Sequence, residues 1–362
     1  MYRRRYRGRR ERPVDLRGGL HSLAPLYEAY YSLRPPIEEP SELQRREFAF
    51  QYIGAESYTR HISFSTYEEM LDHLAERPPL HAYYSIAVYE LPEARNMEEK
   101  GFIRASLFFD IDVDHFPGCQ GPLPGDECLL EGLRAAARLE AMARRDLGAE
   151  NVITYYTGNR GFHVIVECNE DCEKMGREER REIAWYVAAE ALDLDILFPN
   201  VRSRSLQPAT PSDSDPGWRG WVARAIPGGR PGLVDTLGPG WREEIYSRIE
   251  ELRVPIDMQV TQDTSRLSRL RGTLNGKASL LVMRVGEGWR PDYRLLSPFN
   301  GSVEARCLED LEGRVVGFNL DFKKGEEVEL PAQVGILLFT KGLCEVLGGE
   351  VVVRAGPGWR PV

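Results

Sequence analysis

Residues 107–114, Leu-Phe-Phe-Asp-Ile-Asp-Val-Asp, alternate acidic and apolar side chains from Phe109 onward. A period of two is the pattern of a strand with one buried and one polar face. Asp110, Asp112 and Asp114 would share one face, and Phe109, Ile111 and Val113 the other. The same reading predicts short helices over 20–31, 41–52 and 67–76, an apolar strand over 81–90 and the acidic strand over 105–114. A Pro/Gly loop over 116–126 leads to a helix over 128–147, in which Leu130, Leu133, Ala137 and Ala141 recur at helical spacing and which Gly148 stops. Strands over 152–156 and 162–167 flank the turn Thr157-Gly158-Asn159-Arg160-Gly161. Further on, the pattern predicts helices over 177–194, 241–252 and 334–347, and strands over 256–260 and 279–285. Between them, 199–240 is rich in Pro, Gly and Ser and contains Trp218 and Trp221. No internal repeat is visible. The β-α-β-turn-β run over 105–167 points to an α+β core.

Composition narrows the class. With 362 residues, 42% of them hydrophobic, the chain can build a sizeable core in more than one compact part. No apolar run approaches the roughly 20 residues of a membrane span. No apolar stretch follows the N-terminal charges either, so a non-secreted protein is expected. Six cysteines do not make a disulfide framework, and a reducing compartment is expected. A net charge of −9 argues against a protein that coats nucleic acid. Residues 1–12 nevertheless carry seven arginines, with Tyr2 and Tyr6 interleaved. Such an arm can neutralise phosphates and stack on bases, or serve only as a solvated tail.

Three clusters could carry chemistry. The acidic face offers hard oxygen ligands roughly 6–7 Å apart along the strand. Divalent ions held in pairs about 3.5–4 Å apart support nucleotidyl transfer. The plain alternative is an amphipathic edge strand with a solvated acidic face. In the turn, Gly158 and Gly161 allow close approach of a ligand to the backbone. Thr157, Arg160 and His163 then project a hydroxyl, a guanidinium and an imidazole, which suits a triphosphate cradle or an ordinary hairpin. The third cluster sets Asp257 ahead of Arg266, Arg269, Arg271 and Lys277. It reads as an acid beside anion-binding charges, or as a strand with a basic loop.

In this order, and with Arg45-Arg46-Glu47-Phe48-Ala49-Phe50 and Arg60-His61-Ile62-Ser63-Phe64 upstream, the clusters resemble the catalytic small subunit of archaeal and eukaryotic DNA primases over residues 44–285. The pair Phe-Asp-Ile-Asp-x-Asp and Gly-Asn-Arg-Gly-Phe-His carries most of the resemblance. It implies the α+β archaeo-eukaryotic primase fold: a mixed β-sheet catalytic core with an RRM-like half, and a smaller helical and loop insert. The core would take 19–170 and 253–330, the insert 171–252, a basic flexible arm 1–18, and a C-terminal segment packing on the core 331–362.

The resemblance further implies that Asp110, Asp112 and Asp257 hold Mg2+ or Mn2+, with Asp114 a neighbour and Asp263 a rival to Asp257. Thr157, Asn159, Arg160 and His163 would grip the nucleotide's phosphates, although Asn159 often corresponds to a basic residue. Arg269 and Lys277 would add phosphate or template contacts, and Glu47, Tyr58 and Arg60 would surround the same pocket. Asn275 stands where the family commonly has His, and keeps a donor without the charge. Related primases carry a zinc knuckle after the acidic strand, usually of four Cys or His ligands. Here Cys119 and Cys128 stand there, with His115 and Asp126 as helpers; Cys168 and Cys172 would join only if the strand end folds back. Free thiols are the expectation and a structural zinc the alternative.

The implied activity is synthesis of short RNA, or RNA/DNA, primers on single-stranded DNA from NTPs or dNTPs in replication, with a large primase subunit as partner. Its place would be cytoplasmic in an archaeon and nuclear in a eukaryote, with no membrane attachment. Two rivals are a stand-alone primase-polymerase for repair or end joining and a non-catalytic nucleic-acid-binding module. Like charges gathered without a metal repel, which argues against the module.

Overall fold

The structure, a computed structural model, describes residues 11–199, 208, 210–226 and 233–355. Residues 1–10, which hold most of the basic arm, lie outside the described residues, as do parts of the 199–240 stretch. Among the described residues no helix is long and apolar enough to cross a membrane.

The central sheet is antiparallel, ordered Met283–Arg284, Asn151–Tyr156, Gly161–Glu167, Leu107–Asp112. Phe109, Ile111 and Val113 are fully buried, as the alternation requires. Helix Asp126–Asp146 covers that apolar face with a stripe of mostly small residues that includes Gly132, Ala136 and Ala143. A Cβ on Gly132 would lie 2.8 Å from the side chains of Phe162 and Val113, so the helix approaches this closely only because glycine stands there. Register fixes the polar face: Asp110 lies opposite His163 and Asp112 opposite Gly161.

A second antiparallel sheet runs Leu267–Arg269, Pro79–Ser85, Phe48–Tyr52, Thr59–Ile62. The two sheets are joined by the Tyr155 hydroxyl, which bonds the Ser268 hydroxyl. Glu38 adds a clamp, pairing with Arg271 at 2.5 Å and Arg284 at 2.7 Å. A third sheet runs Glu11–Asp15, Cys344–Arg354, Phe299–Cys307, Glu327–Pro331, with helix Ala332–Thr340 packed on it. In the insert, helices Arg177–Ala188, Gly217–Ala225 and Trp241–Leu252 bury Trp218, Trp241 and Ile245. Buried Arg180 fastens the insert to the core by donating to the carbonyls of Ser106 at 3.0 Å and Ala105 at 2.6 Å.

Several sequence expectations change. Residues 41–52 form one short 3-10 turn, Leu43–Arg45, and then a strand, Phe48–Tyr52, whose alternate aromatic residues suit a pleated surface. Residues 256–260 are not a strand: Asp257 caps the helical turn Met258–Gln262, with Oδ1 accepting from the amides of Gln259 at 2.9 Å and Val260 at 3.3 Å. The acidic strand stops at Asp112, whose Oδ1 accepts the Asp114 amide at 3.1 Å and starts the turn Val113–His115. Asp114 therefore leaves the shared acidic face. The helix expected over 334–347 ends at Thr340, and the chain returns as a strand from Cys344.

The expected divisions at 18/19 and 330/331 move as well. Residues 11–15 are a strand paired with Cys344–Arg354, not part of a flexible arm. Phe299–Cys307 pairs with Glu327–Pro331, which contains residue 330, and with Cys344–Arg354 beyond it, so a cut there would split a strand and its sheet. One continuous apolar core runs from Leu16 to Val353 through all these parts.

Candidate active site

Asp110 is the most crowded acid. Its carboxyl is pushed up to about 6, by burial first and then by the charges of Asp112 and Asp257, while Arg269 and His115 oppose the rise. The Asp257 amide donates to the Asp110 carbonyl at 2.9 Å, which ties a residue 147 positions downstream to the acidic strand. Asp112 and Asp257 each spend Oδ1 on backbone amides; among the described residues Oδ2 of each has no hydrogen-bond partner. Asp263 stands apart, with Oδ1 accepting from Ser265 and Oδ2 paired to Arg266 at 3.2 Å. The three acids are neighbours without yet forming a cage. Among the described residues no three His, Cys, Asp or Glu side chains stand close enough to enclose an ion.

The turn lies beside them on the adjoining strands. Gly158 has φ +76°, and a Cβ there would sit 2.7 Å from the Leu280 carbonyl oxygen, so the backbone conformation and the close approach both demand glycine. Thr157 closes the turn, its amide and hydroxyl both donating to the Gly161 carbonyl at 3.0 Å. Asn275 donates to the Thr157 carbonyl at 2.7 Å and accepts the Lys277 amide at 3.0 Å. These two residues therefore build the turn's frame, and their polar atoms are already engaged. Arg160 is held between Asp114 at 2.5 Å and the Gly121 carbonyl at 3.0 Å. Lys277 is exposed.

His163 is buried, and burial, followed by the charge of Arg269, pushes its pKa down to about 3. It is therefore neutral, with Nδ1 3.3 Å from the Tyr155 hydroxyl and Nε2 3.6 Å from Asp110 Oδ1, beyond hydrogen-bond distance. Arg269 lies 4.9 Å from the Tyr83 ring centre and donates to His81 Nδ1 at 3.1 Å. His81 is likewise held neutral, its pKa lowered to about 3 by burial and then by Arg269 and Lys277.

Of the upstream residues, Tyr58 is exposed and packs edge-on against Tyr83, while Arg60 pairs with Glu47 at 2.9 Å. Glu47 is itself fully buried and 3.4 Å from the ammonium of buried Lys100. Burial raises its pKa, but Arg60 and Lys100 outweigh that and hold the carboxylate below its usual range. Glu47 is thus a bridge that fixes Arg60 rather than a group open to a ligand.

The cysteines depart from expectation. Cys119 and Cys128 form a disulfide with Cα atoms 5.6 Å apart, and Cys168 and Cys172 another at 5.9 Å. The loop before the long helix brings the first pair into bonding reach. His115 is exposed, and Asp126 is turned to Arg314 and the Gly317 amide. Free thiols are corrected to paired ones, and these residues do not fit a zinc ion in this arrangement.

Sequence reasoning missed four residues: Lys341, His81, Tyr83 and Lys100. Lys341 donates to Asn159 Oδ1 at 2.6 Å from the C-terminal unit. Nothing in its local sequence signals this contact. His81 and Tyr83 lie inside the expected apolar strand, where they are polar at every second position, and that alternation could have found them.

Fold and site together define an α+β protein with acids and a cationic turn on one antiparallel sheet. A family model described as DNA primase small subunit matches residues 109–286. The chain is similar to the protein named DNA primase small subunit PriS of Aeropyrum pernix, 48% identical over 353 residues that cover 96% of this chain and all of the relative. The proteins of the same name in Staphylothermus marinus and Saccharolobus solfataricus are each 33% identical, covering 90% and 87% of this chain and 94% and 92% of their own. The chain belongs to the DNA primase small subunit family. A solved polymerase domain of Mycobacterium tuberculosis Ligase D, in complex with DNA, aligns at TM-score 0.37 and 12% identity over 75% of this chain and 86% of its own. That likeness carries no weight here.

Proposed function

We propose that this chain is the catalytic subunit of a DNA primase. It would make short RNA, or RNA/DNA, primers on single-stranded DNA by nucleotidyl transfer, with a primase large subunit as partner. The observation that carries this is the tie between Asp257 and Asp110, beside the cationic turn of a family member. The donor set suits hard divalent cations: all oxygen, crowded with negative charge, and with Oδ2 of Asp112 and Asp257 uncommitted among the described residues. Asp110, Asp112 and Asp257 would hold Mg2+ or Mn2+, which would supply charge stabilisation at the α-phosphate and an acidified attacking 3′-hydroxyl.

The chain's own residues do the rest. Asp112 and Asp257 are oriented by their capping hydrogen bonds before substrate arrives. Arg160 and Arg269, each held by a second group, neutralise the triphosphate and align it for in-line attack. Neutral His163 keeps one ring N–H to donate to a phosphate oxygen. Exposed Tyr58, and Tyr83 under Arg269, offer aromatic surface beside the cations.

Primer synthesis on single-stranded template, with the large subunit added, tests this. Asp110→Asn and Asp257→Asn should each lower the rate by on the order of 10^3-fold, since several kcal/mol of charge stabilisation are lost. Asp263→Asn should stay near wild type. Full activity of Asp257→Asn, or loss in Asp263→Asn alone, would move the third acid to Asp263. Products formed only when a primer is supplied would favour the extension-only polymerase.

A further inference from the structure

Helix Ala332–Thr340 belongs to the C-terminal sheet unit, yet its end is fastened to the loop that frames the turn. The Thr340 hydroxyl is 2.8 Å from the Ser279 hydroxyl, and the amides of Ala278 and Ser279 donate to the Asn275 carbonyl at 3.1 and 2.7 Å. The next residue, Lys341, is the helix C-cap, and its half-buried side chain reaches Asn159 Oδ1 at 2.6 Å. It also lines a narrow groove with Asn159, Tyr156, Leu280 and Pro124.

The charge around it is unusual. Arg160 is paired with Asp114, but among the described residues Lys277 and Lys341 have no carboxylate within ion-pair distance. Burial and then the cations Arg160 and Lys277 lower the Lys341 pKa to about 8, while the charges of Asp114 and Asp112 pull the other way. Two cations gathered beside the turn with only an amide oxygen to hold one of them are unfavourable on their own. An anion between them would relieve both. The Asn159 contact is neutral and costs little to exchange for a charged one.

Resting on the primase reading, we propose that Lys341 is a further nucleotide-binding residue, a cation supplied by the C-terminal unit that leaves Asn159 to contact the phosphate chain of the incoming nucleotide. The C-terminal unit would then be part of the substrate site and not merely a scaffold packed against it. The competing account is that Lys341 only caps its helix, where a cation is favoured at the C-terminus, and steadies Asn159.

Lys341→Gln separates the two, because glutamine keeps a donor for Asn159 and loses the charge. Binding of ATP and of inorganic tripolyphosphate to the full chain, with Mg2+ and without template, would be measured by calorimetry. A lost charged hydrogen bond predicts about 10- to 100-fold weaker binding of both. Lys341→Arg should restore most of it, and the thermal midpoint of both variants should stay near wild type. Binding of both ligands by Lys341→Gln within about twofold of wild type would overturn the proposal. So would a loss that tracks a lowered thermal midpoint and that Lys341→Arg does not restore. If wild type binds neither ATP nor tripolyphosphate, the primase reading itself fails, independently of Lys341.

Discussion

Asp110 sits where a carboxylate is costly. Its pKa is raised in the folded chain from 3.8 to about 6, so the folded state holds its proton more tightly than the unfolded state does. Between those values unfolding releases a proton, and stability falls as pH rises through the window from about 4 to about 6. Above it the ionised site carries a constant penalty. Asp110→Asn should therefore be more stable than wild type near neutral pH in the presence of a chelator. With 34% of the Asp110 side chain exposed and solvent screening the repulsion, the gain should be about 1–2 kcal/mol. The gain should vanish below about pH 4, which thermal unfolding across that range would check. A wild type that is the more stable of the two at neutral pH would contradict this account of Asp110.

Individual residues were also the most legible feature of the sequence. Period-two alternation named Asp110, Asp112 and Asp114 alike, and the resemblance to primase small subunits singled out the first two together with Asp257, Arg160, His163 and Arg269. What alternation could not reveal is that Asp114 turns away, since a side-chain cap from Asp112 ends the strand one residue early. Nor could it reveal that Thr157, Asn275 and Glu47 spend their polar atoms on other protein groups. Those partners are 4, 118 and 13 residues away and become neighbours only in the fold.

Among the elements, the hairpin turn between Asn151–Tyr156 and Gly161–Glu167 leaves little room for change. Gly158→Ala would add a left-handed penalty to a 2.7 Å approach to the Leu280 carbonyl. We expect it to lose about 2 kcal/mol of stability and to weaken nucleotide binding, read by denaturant unfolding and calorimetry. Tolerance of alanine on both measures would mean that the turn opens freely. Helices with a strong apolar stripe were readable to the residue: 67–76 and 241–252 match Tyr67–Glu76 and Trp241–Leu252. The stretches 41–52 and 256–260 were not. In the first, three aromatic residues alternate within a charged segment, and the sheet they join lies elsewhere in the chain. In the second, Asp257 acts as a cap, and five residues are too few for periodicity to separate helix from strand.

At the level of the whole chain, two stretches of the N-terminus can be separated by truncation. Glu11–Asp15 covers the edge of the C-terminal strand, while residues 1–10 hold six arginines. Removing 1–10 should flatten the salt dependence of single-stranded DNA binding by about 0.7 in log–log slope for each arginine that contacts a phosphate, with thermal stability unchanged. Removing 1–15 should also lower the thermal midpoint by about 2–4 °C, because an edge of the third sheet is uncovered. Equal midpoints for the two truncations would show that the strand contributes nothing.

The amino-acid sequence by itself determined the chemistry present: the acids, the glycine turn and the basic run, whose identities and order are properties of the chain. It also determined the α+β class, because apolar periodicity is local. Only the tertiary structure decided that Asp257 rather than Asp263 lies against Asp110, that the Cys119–Cys128 loop closes on itself, and that Lys341 from the last unit reaches the turn. The first and last are contacts between segments far apart in sequence, set by sheet register and helix packing, while the cysteines, nine residues apart, meet because the loop before the long helix turns back on itself; no local pattern encodes such distances.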